Sequence, residues 1–551
     1  MSNSGSKVLV IGLDSATFEL LKPWVDKGLL PTLSTLLYHG ANGELRSTVP
    51  PHTAPAWSSF MTGKNPGKHG VFGFMKLTED HEQLRLVSSL DRKAEDLWEL
   101  LGRQGKKVIV LRVPVSYPVR PVNGILVSGF MTPPSAADYV YPPSMKDEIE
   151  AEIGPLSVKV SNSPVKMDLE QAILNDLNSA LDRLEHGLPR LVGRADWDFF
   201  MIVFQGTDEV QHRFWHLVDH THPRYDPEKA AKYGDAIPQY YQRVDTIIAS
   251  MLSQINRENT VVVTLSDHGA RALHKWVSIN NIFWRCELLA FKRDLITQLK
   301  LLAFKIGLTP ITLYRAILRL HLTSVRNLVR QEETRSNLRP FFVSLRDVDW
   351  QRAQAYALGG WGQIYVNRDA VVSDRYEDIR REIVDALLDA RDSANGAPIF
   401  RRDSIFFRED VYEGHYLQQA PDIIALPDPP YQGYPDYEFG FNNVVSDGVG
   451  ISGTHAMDGI LVLSGPNIRQ GRVLRNIAIV DVAPTILYLM GLAVPSDFDG
   501  AVITEAITES YLAAHPLLRT SAHGKEIDDT NPYTRDEEEN LQRRLKDLGY
   551  L

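Results

Sequence analysis

The chain has 551 residues, 44% hydrophobic and 23% charged, the balance of a globular protein with room for one large catalytic domain plus insertions, or for several smaller domains. Its formal charge of −10 argues against nucleic acid as a scaffold partner, because backbone phosphates repel an acidic surface. The single cysteine, Cys286, excludes an intramolecular disulfide and any thiolate metal cluster.

Taken in chain order, Val8–Leu13 is a continuous apolar run that meets Asp14, as expected of a central strand covered on both faces. It is too short for a signal-peptide core, and no window approaches the apolar length of a membrane span, so the cytoplasm is the expected location. Similar runs recur at Lys107–Leu111, Phe199–Phe204, Val261–Leu265 and Ile460–Leu463, with amphipathic stretches at Arg92–Gln104 and Leu169–Leu191. This alternation predicts an α/β fold with a mainly parallel sheet covered by helices, whose active site lies at the carboxyl ends of the strands.

Residues 1–284 and 451–515 carry that pattern and are assigned to the core. Residues 285–345 are helical in period and basic, with Lys292, Arg293, Lys300, Lys305, Arg315, Arg319, Arg326 and Arg330; the apolar Leu299, Leu302, Ala303 and Ile306 among these lysines could meet an anionic membrane surface, but the expectation is a helix packed on its own protein, as a lid or a dimer contact. Residues 346–450, rich in aromatics, glycine and proline, read as a mixed α+β insertion near the active face. Residues 516–551 form a polar tail ending in an amphipathic helix from Thr534. The apolar flanks of Cys286 predict a buried thiol.

Five separated segments put Asp, His or Thr at or just past strand ends. They are Asp14; Thr53 in Pro50-Pro51-His52-Thr53-Ala54-Pro55; Asp208 and His212; Asp267-His268 in a Ser-Asp-His-Gly turn; and His455 in Gly453-Thr454-His455. Each alone has an ordinary account: a helix cap, a turn, a surface pair at i, i+4. Together they supply three carboxylates and three imidazoles, enough for two three-ligand metal sites that each leave room for water or substrate. This donor set suits zinc, with manganese possible. Asp208 and His212 stand on one face of a helix and can grip one ion.

The ordered set resembles the alkaline-phosphatase superfamily, and most of all its type I phosphodiesterase/nucleotide pyrophosphatase branch with its prokaryotic relatives. The resemblance covers roughly 7–280 and 450–500 and implies an alkaline-phosphatase-like three-layer sandwich. It implies that Asp14, Asp267 and His268 hold one metal, with Thr53 bridging to it, and that Asp208, His212 and His455 hold the other. It implies a metal-activated Thr53 that attacks phosphorus and passes through a phosphothreonine. The expected substrate is a small-molecule phosphate ester, most naturally a diester or pyrophosphate. A phosphomonoesterase, a phosphomutase and a catalytically silent binding protein are the alternatives. A sulfatase is disfavoured, because Thr53 cannot become formylglycine.

One departure bears on substrate contact. The branch places an Asn after the nucleophile, and counting from Thr53 puts Phe74 there. The phosphoryl oxygen then needs another donor, for which Lys275 is the candidate, backed by His274 and His52; His216 continues the helical ladder from His212 and could line the pocket. Ser58 and Ser59 are read as helix-face hydroxyls. Gly63–His69 looks like a phosphate-binding loop but lacks its spacing and its Ser/Thr.

Overall fold

A computed structural model describes residues 5–77, 84–155, 169–194, 196–319, 339–435, 439–522 and 530–548. Arg326 and Arg330 of the basic segment lie outside these ranges. The chain divides into two compact units. The first comprises Met1–Ala272, Tyr412–Ala420 and Ile451–Arg544; the second comprises Leu273–Val411, Pro421–Gly450 and Leu545–Leu551.

The first unit is built on a ten-stranded, mostly parallel sheet with helices in its connections, the α/β architecture anticipated for this chain. Its order runs Arg472–Val473, Ala41–Arg46, Asp458–Ser464, Thr260–Leu265, Lys7–Leu13, Phe199–Phe204, Val108–Val113, Gly124–Ser128, Val140–Tyr141, and Ile477–Ala478 also pairs with Ala41–Arg46. The opening strand lies between two parallel neighbours and is buried from Val8 onward. That explains its unbroken apolar run: neither face meets water. Asp458–Ser464 enters antiparallel to both of its neighbours.

Register sets up the site. Leu13 is paired with Phe204, and Gly12 with both Val203 and Leu265, so three parallel strands end at one level. The residues that follow them, Asp14, Gln205–Asp208 and Ser266–His268, therefore leave the same edge. Beyond this edge, Gly269–Ala272 pairs antiparallel with Gly453–Ala456, setting His455 opposite Ala270. The core beneath joins Val10, Trp57, Phe60, Met201, Val263 and Ile486.

In the second unit, Ala355–Leu358, Gln363–Val366, Ile423–Ala425 and Ile405–Phe407 form a four-stranded antiparallel sheet. Gly359 and Gly362, at φ 71° and 69°, make the tight turn that joins its first two strands. The basic segment begins as two helices, Leu295–Lys305 and Pro310–Arg319. Cys286 is exposed, contrary to the expectation from its flanks. It caps the C-terminus of the helix Ile279–Arg285, where the chain turns outward, while Phe283 and Leu288 beside it are buried. Among the described residues no single helix is long and apolar enough to cross a membrane.

Candidate metal centre and active site

Asp14 is the first residue past the opening strand. Ser15 then turns the chain sharply with a left-handed φ of 63°. Its N–H donates to Asp267 Oδ1 at 3.3 Å, and its hydroxyl donates to the Gly269 carbonyl at 3.2 Å. The Thr207 hydroxyl donates to the Asp14 carbonyl at 2.7 Å. Three strand ends are thus tied into one rigid rim. Thr53 opens the helix Thr53–Thr62, every residue of which is buried.

Two ligand clusters form on this rim, both within the first unit and both fully buried. In one, His268 Nε2 is 3.1 Å from Asp267 Oδ2 and 3.8 Å from Asp14 Oδ1. Thr53 Oγ1 is 3.2 Å from the same nitrogen. In the other, His212 Nε2 is 3.1 Å from Asp208 Oδ1 and 3.2 Å from His455 Nε2, which is itself 3.6 Å from Asp208 Oδ1. The rings of His268 and His455 stack with centroids 3.6 Å apart, so the clusters adjoin.

The donor chemistry fits a cation. Each imidazole has Nδ1 against a backbone carbonyl: His212 on Gly453 at 2.7 Å, His455 on Pro51 at 2.9 Å and His268 on Gly269 at 3.1 Å. A carbonyl only accepts, so Nδ1 carries the proton and Nε2 turns a lone pair toward the cluster. Two lone pairs 3.2 Å apart, at His212 and His455, repel unless a positive centre lies between them. Ligands about 2.0–2.1 Å from a tetrahedral ion stand about 3.3 Å from each other, and the separations here fall close to that value. Among the described residues no N–H donor is placed on Asp14 Oδ1 or Asp267 Oδ2, both buried. Without a cation, burial, then Asp267 and Asp208, push the Asp14 carboxyl well above its ordinary range. Burial, then His268 and His212, hold His455 neutral far below the usual imidazole range.

The remaining candidates are placed differently. His52 caps the helix Thr53–Thr62, and its ring meets Phe74 edge-on at 4.7 Å. Burial and the neighbouring His268 lower its pKa to about 3, so it is a neutral wall. Phe74 in turn packs edge-on against Phe130 at 5.4 Å. His216 Nδ1 lies 2.9 Å from Ser452 Oγ, tying the Asp208–His212 helix to the segment that leads into His455. Lys275 and His274 belong to the second unit. There the Lys275 ammonium pairs with Asp392 at 2.5 Å, and Tyr431 donates to the same carboxylate oxygen at 3.0 Å. Ser59 is committed to His69 Nε2 at 3.0 Å. Lys64 and Lys68, in the phosphate-loop look-alike, pair with Asp497 and Asp499.

Two contributors escaped sequence reasoning. Trp57 donates its indole N–H to Asp14 Oδ2 at 3.2 Å. Arg544, from the terminal helix Arg535–Leu548, lays its guanidinium over the Phe130 ring at 4.9 Å. Trp57 reads as a core residue and Arg544 as a solvated one, and no local pattern marks either.

The sheet topology and this donor set fit a metal-dependent phosphohydrolase of the alkaline-phosphatase superfamily. More narrowly, the chain matches the type I phosphodiesterase / nucleotide pyrophosphatase profile over residues 8–458 and belongs to that family of hydrolases acting on phosphoric ester bonds. Human ectonucleotide pyrophosphatase / phosphodiesterase 5 shares the fold at a TM-score of 0.51 and 12% identity, over 91% of this chain and all (100%) of that one. Phosphonoacetate hydrolase from Sinorhizobium meliloti, solved with phosphonoformate, does so at a TM-score of 0.51 and 14% identity, over 88% and 95%. No curated protein matches the chain.

Proposed function

We propose that the protein hydrolyses a diester or pyrophosphate bond of a small-molecule phosphate ester, with Thr53 as nucleophile and two divalent ions in attendance. Zinc is the first choice for both sites and manganese the second. The observation that carries this reading is the Thr53 hydroxyl. It sits 3.2 Å from His268 Nε2, beside two adjoining Asp/His clusters whose imidazoles all present Nε2. Asp14, Asp267 and His268, with Thr53, would hold one ion, and Asp208, His212 and His455 the other. Bound there, the ions would supply Lewis-acid activation of the hydroxyl and charge neutralisation at the phosphoryl oxygens.

The chain's own share follows from the site. Thr53 Oγ1 gives up its proton and forms a bond to phosphorus as the bond to the leaving oxygen breaks, and the leaving oxygen takes up a proton. Water then adds its oxygen to phosphorus, breaks the Oγ1–P bond and returns a proton to Oγ1. The helix that starts at Thr53 turns the positive end of its dipole toward the reacting phosphoryl group. Pro55 has no N–H, and the Ala56 amide already donates to His52 O at 3.0 Å, so the Ala54 amide is our candidate for the role that Asn plays elsewhere in the branch. Burial of the whole site excludes bulk water from the nucleophile and strengthens each of these interactions.

The test is Thr53→Ala assayed on bis-p-nitrophenyl phosphate, with metal content measured in parallel. Turnover should fall to background with metal still bound; retained turnover would remove Thr53 from the role. Comparing monoester, diester and pyrophosphate rates on the metal-loaded protein separates hydrolysis of each class from mutase chemistry.

A further inference from the structure

The helix Leu295–Lys305 of the second unit is apolar on two opposite sides. Thr297, Leu301 and Phe304 are buried and face inward. On the other side Leu295, Leu299, Leu302 and Ile306 recur at i, i+4, i+7 and i+11, the spacing of a single helical stripe. They are 76%, 58%, 59% and 70% exposed, and Ile296 at 68% widens the stripe. Leu308 and Leu313 carry it on into the helix Pro310–Arg319. Seven of the fourteen large hydrophobic side chains exposed among the described residues fall between 295 and 313. Scattered exposure needs no explanation, but a continuous exposed stripe does.

The charge of this segment opposes that of the chain. Between 292 and 315 stand Lys292, Arg293, Lys300, Lys305 and Arg315 against Asp294 alone, that is 5 − 1 = +4 in a protein of net −10. Asp294 is spent on the helix N-terminus, accepting from Thr297 N at 3.0 Å. Lys300 and Lys305 stand about 130° and 90° to either side of the stripe on a helix of 3.6 residues per turn. Lys300 is partly answered by Asp347 at 2.8 Å; Lys305 is exposed with its ammonium 5.6 Å from the Trp284 ring centroid, and Arg293 is exposed. An apolar ridge flanked by long cationic side chains can sink into the headgroup boundary while its charges reach lipid phosphates. The helix is about 16 Å long at 1.5 Å per residue, roughly half of a ~30 Å hydrocarbon core. Only together with the next helix, from which it is bent by 49°, does it have the apolar length of a membrane element. A bent pair of this reach fits a position in the plane of the interface.

We propose that this face docks the protein onto an anionic membrane surface as an interfacial helix pair. A second copy of the chain is the less suitable cover. Across a two-fold axis the same stripe would meet itself, setting the cations Arg293 and Lys305 of one copy against those of the other with no acidic residue on the stripe to answer them. The docking does not depend on the role of Thr53.

Co-sedimentation of the full chain with vesicles of phosphatidylcholine, with and without phosphatidylserine, tests the proposal. Wild type should bind the anionic vesicles at least tenfold more strongly than the neutral ones, and added salt should weaken this binding. Leu299→Glu/Leu302→Glu should abolish binding. Arg293→Gln/Lys305→Gln should lower partitioning roughly 25-fold, about fivefold per cation removed. Circular dichroism melts of both variants should match wild type, since all four positions are exposed. Absence of wild-type binding, or binding that neither variant changes, overturns the proposal. So does a wild-type dimer in light scattering that Leu299→Glu/Leu302→Glu converts to monomer.

Discussion

Trp57→Phe isolates one hydrogen bond at the metal centre. Trp57 is fully buried on the helix Thr53–Thr62 and donates to Asp14 Oδ2 at 3.2 Å. Phe fills most of the same space but has no donor. Asp14 is poorly placed to lose one, because among the described residues no N–H donor is placed on its Oδ1 and its carboxyl is already pushed up, first by burial and then by Asp267 and Asp208. A hydrogen bond to a charged group contributes about 1.5–3 kcal/mol. That equals roughly 10–100-fold in an equilibrium constant, the range by which loss of a ligand's outer partner weakens metal binding. The cost falls on the ionised carboxylate, and therefore on the ion that Asp14, Asp267 and His268 would hold. The smaller ring leaves a partial cavity that costs the fold about 1–2 kcal/mol as a separate effect. Metal content measured across a graded chelator series should show one ion leaving 10–100-fold earlier than in wild type, while the ion on Asp208, His212 and His455 keeps its affinity. Loss of both ions together, or a lower urea midpoint with unchanged metal affinity, would refute the reasoning.

Further predictions bear on neighbouring positions. A Cβ at Gly12 would lie 2.7 Å from Trp57 Cη2 and 2.9 Å from Val203 Cγ2. Gly12→Ala should therefore cost about 1–3 kcal/mol by overpacking and, by displacing the indole, weaken the same ion; urea melts and metal titration check both. Phe74→Asn should lower stability by about 3 kcal/mol or more, because it removes a buried ring and buries an amide between His52 and Phe130. It should bring no gain in rate; a rise in kcat would make position 74 a phosphoryl contact. Lys275→Met leaves Asp392 with Tyr431 as its remaining side-chain partner among the pairs seen here, and should cost about 1–3 kcal/mol in a thermal melt with kcat intact. A kcat loss at unchanged stability would return Lys275 to a catalytic role.

The legible part of the site is the part encoded next to strand ends. Asp14, Asp208 and Asp267-His268 follow apolar runs whose register brings their ends level, so strand periodicity and sheet logic bring these residues together. His455 is harder to place from periodicity, because it rides on a four-residue strand whose partner is the equally short Gly269–Ala272. Lys275 follows His268 closely in sequence, and its pairing with Asp392, 117 residues away, is a contact that no local pattern announces. Cys286 shows the same limit: apolar neighbours at i ± 3 suggest burial, but a helix end turns the thiol outward. Trp57 was hidden for another reason, since a core aromatic and a ligand-orienting donor have the same sequence signature.

The central claim is that Thr53 carries the phosphoryl group. Rapid acid quenching of the metal-loaded enzyme during turnover of a diester, followed by peptide mass spectrometry, tests it most directly. The account predicts one phosphoryl group on the peptide that contains Thr53, localised to that residue, and none in a quench without metal. Full turnover with no phosphorylated Thr53 at any quench time, or a phosphoryl group on Ser58 or Ser59 instead, would contradict it.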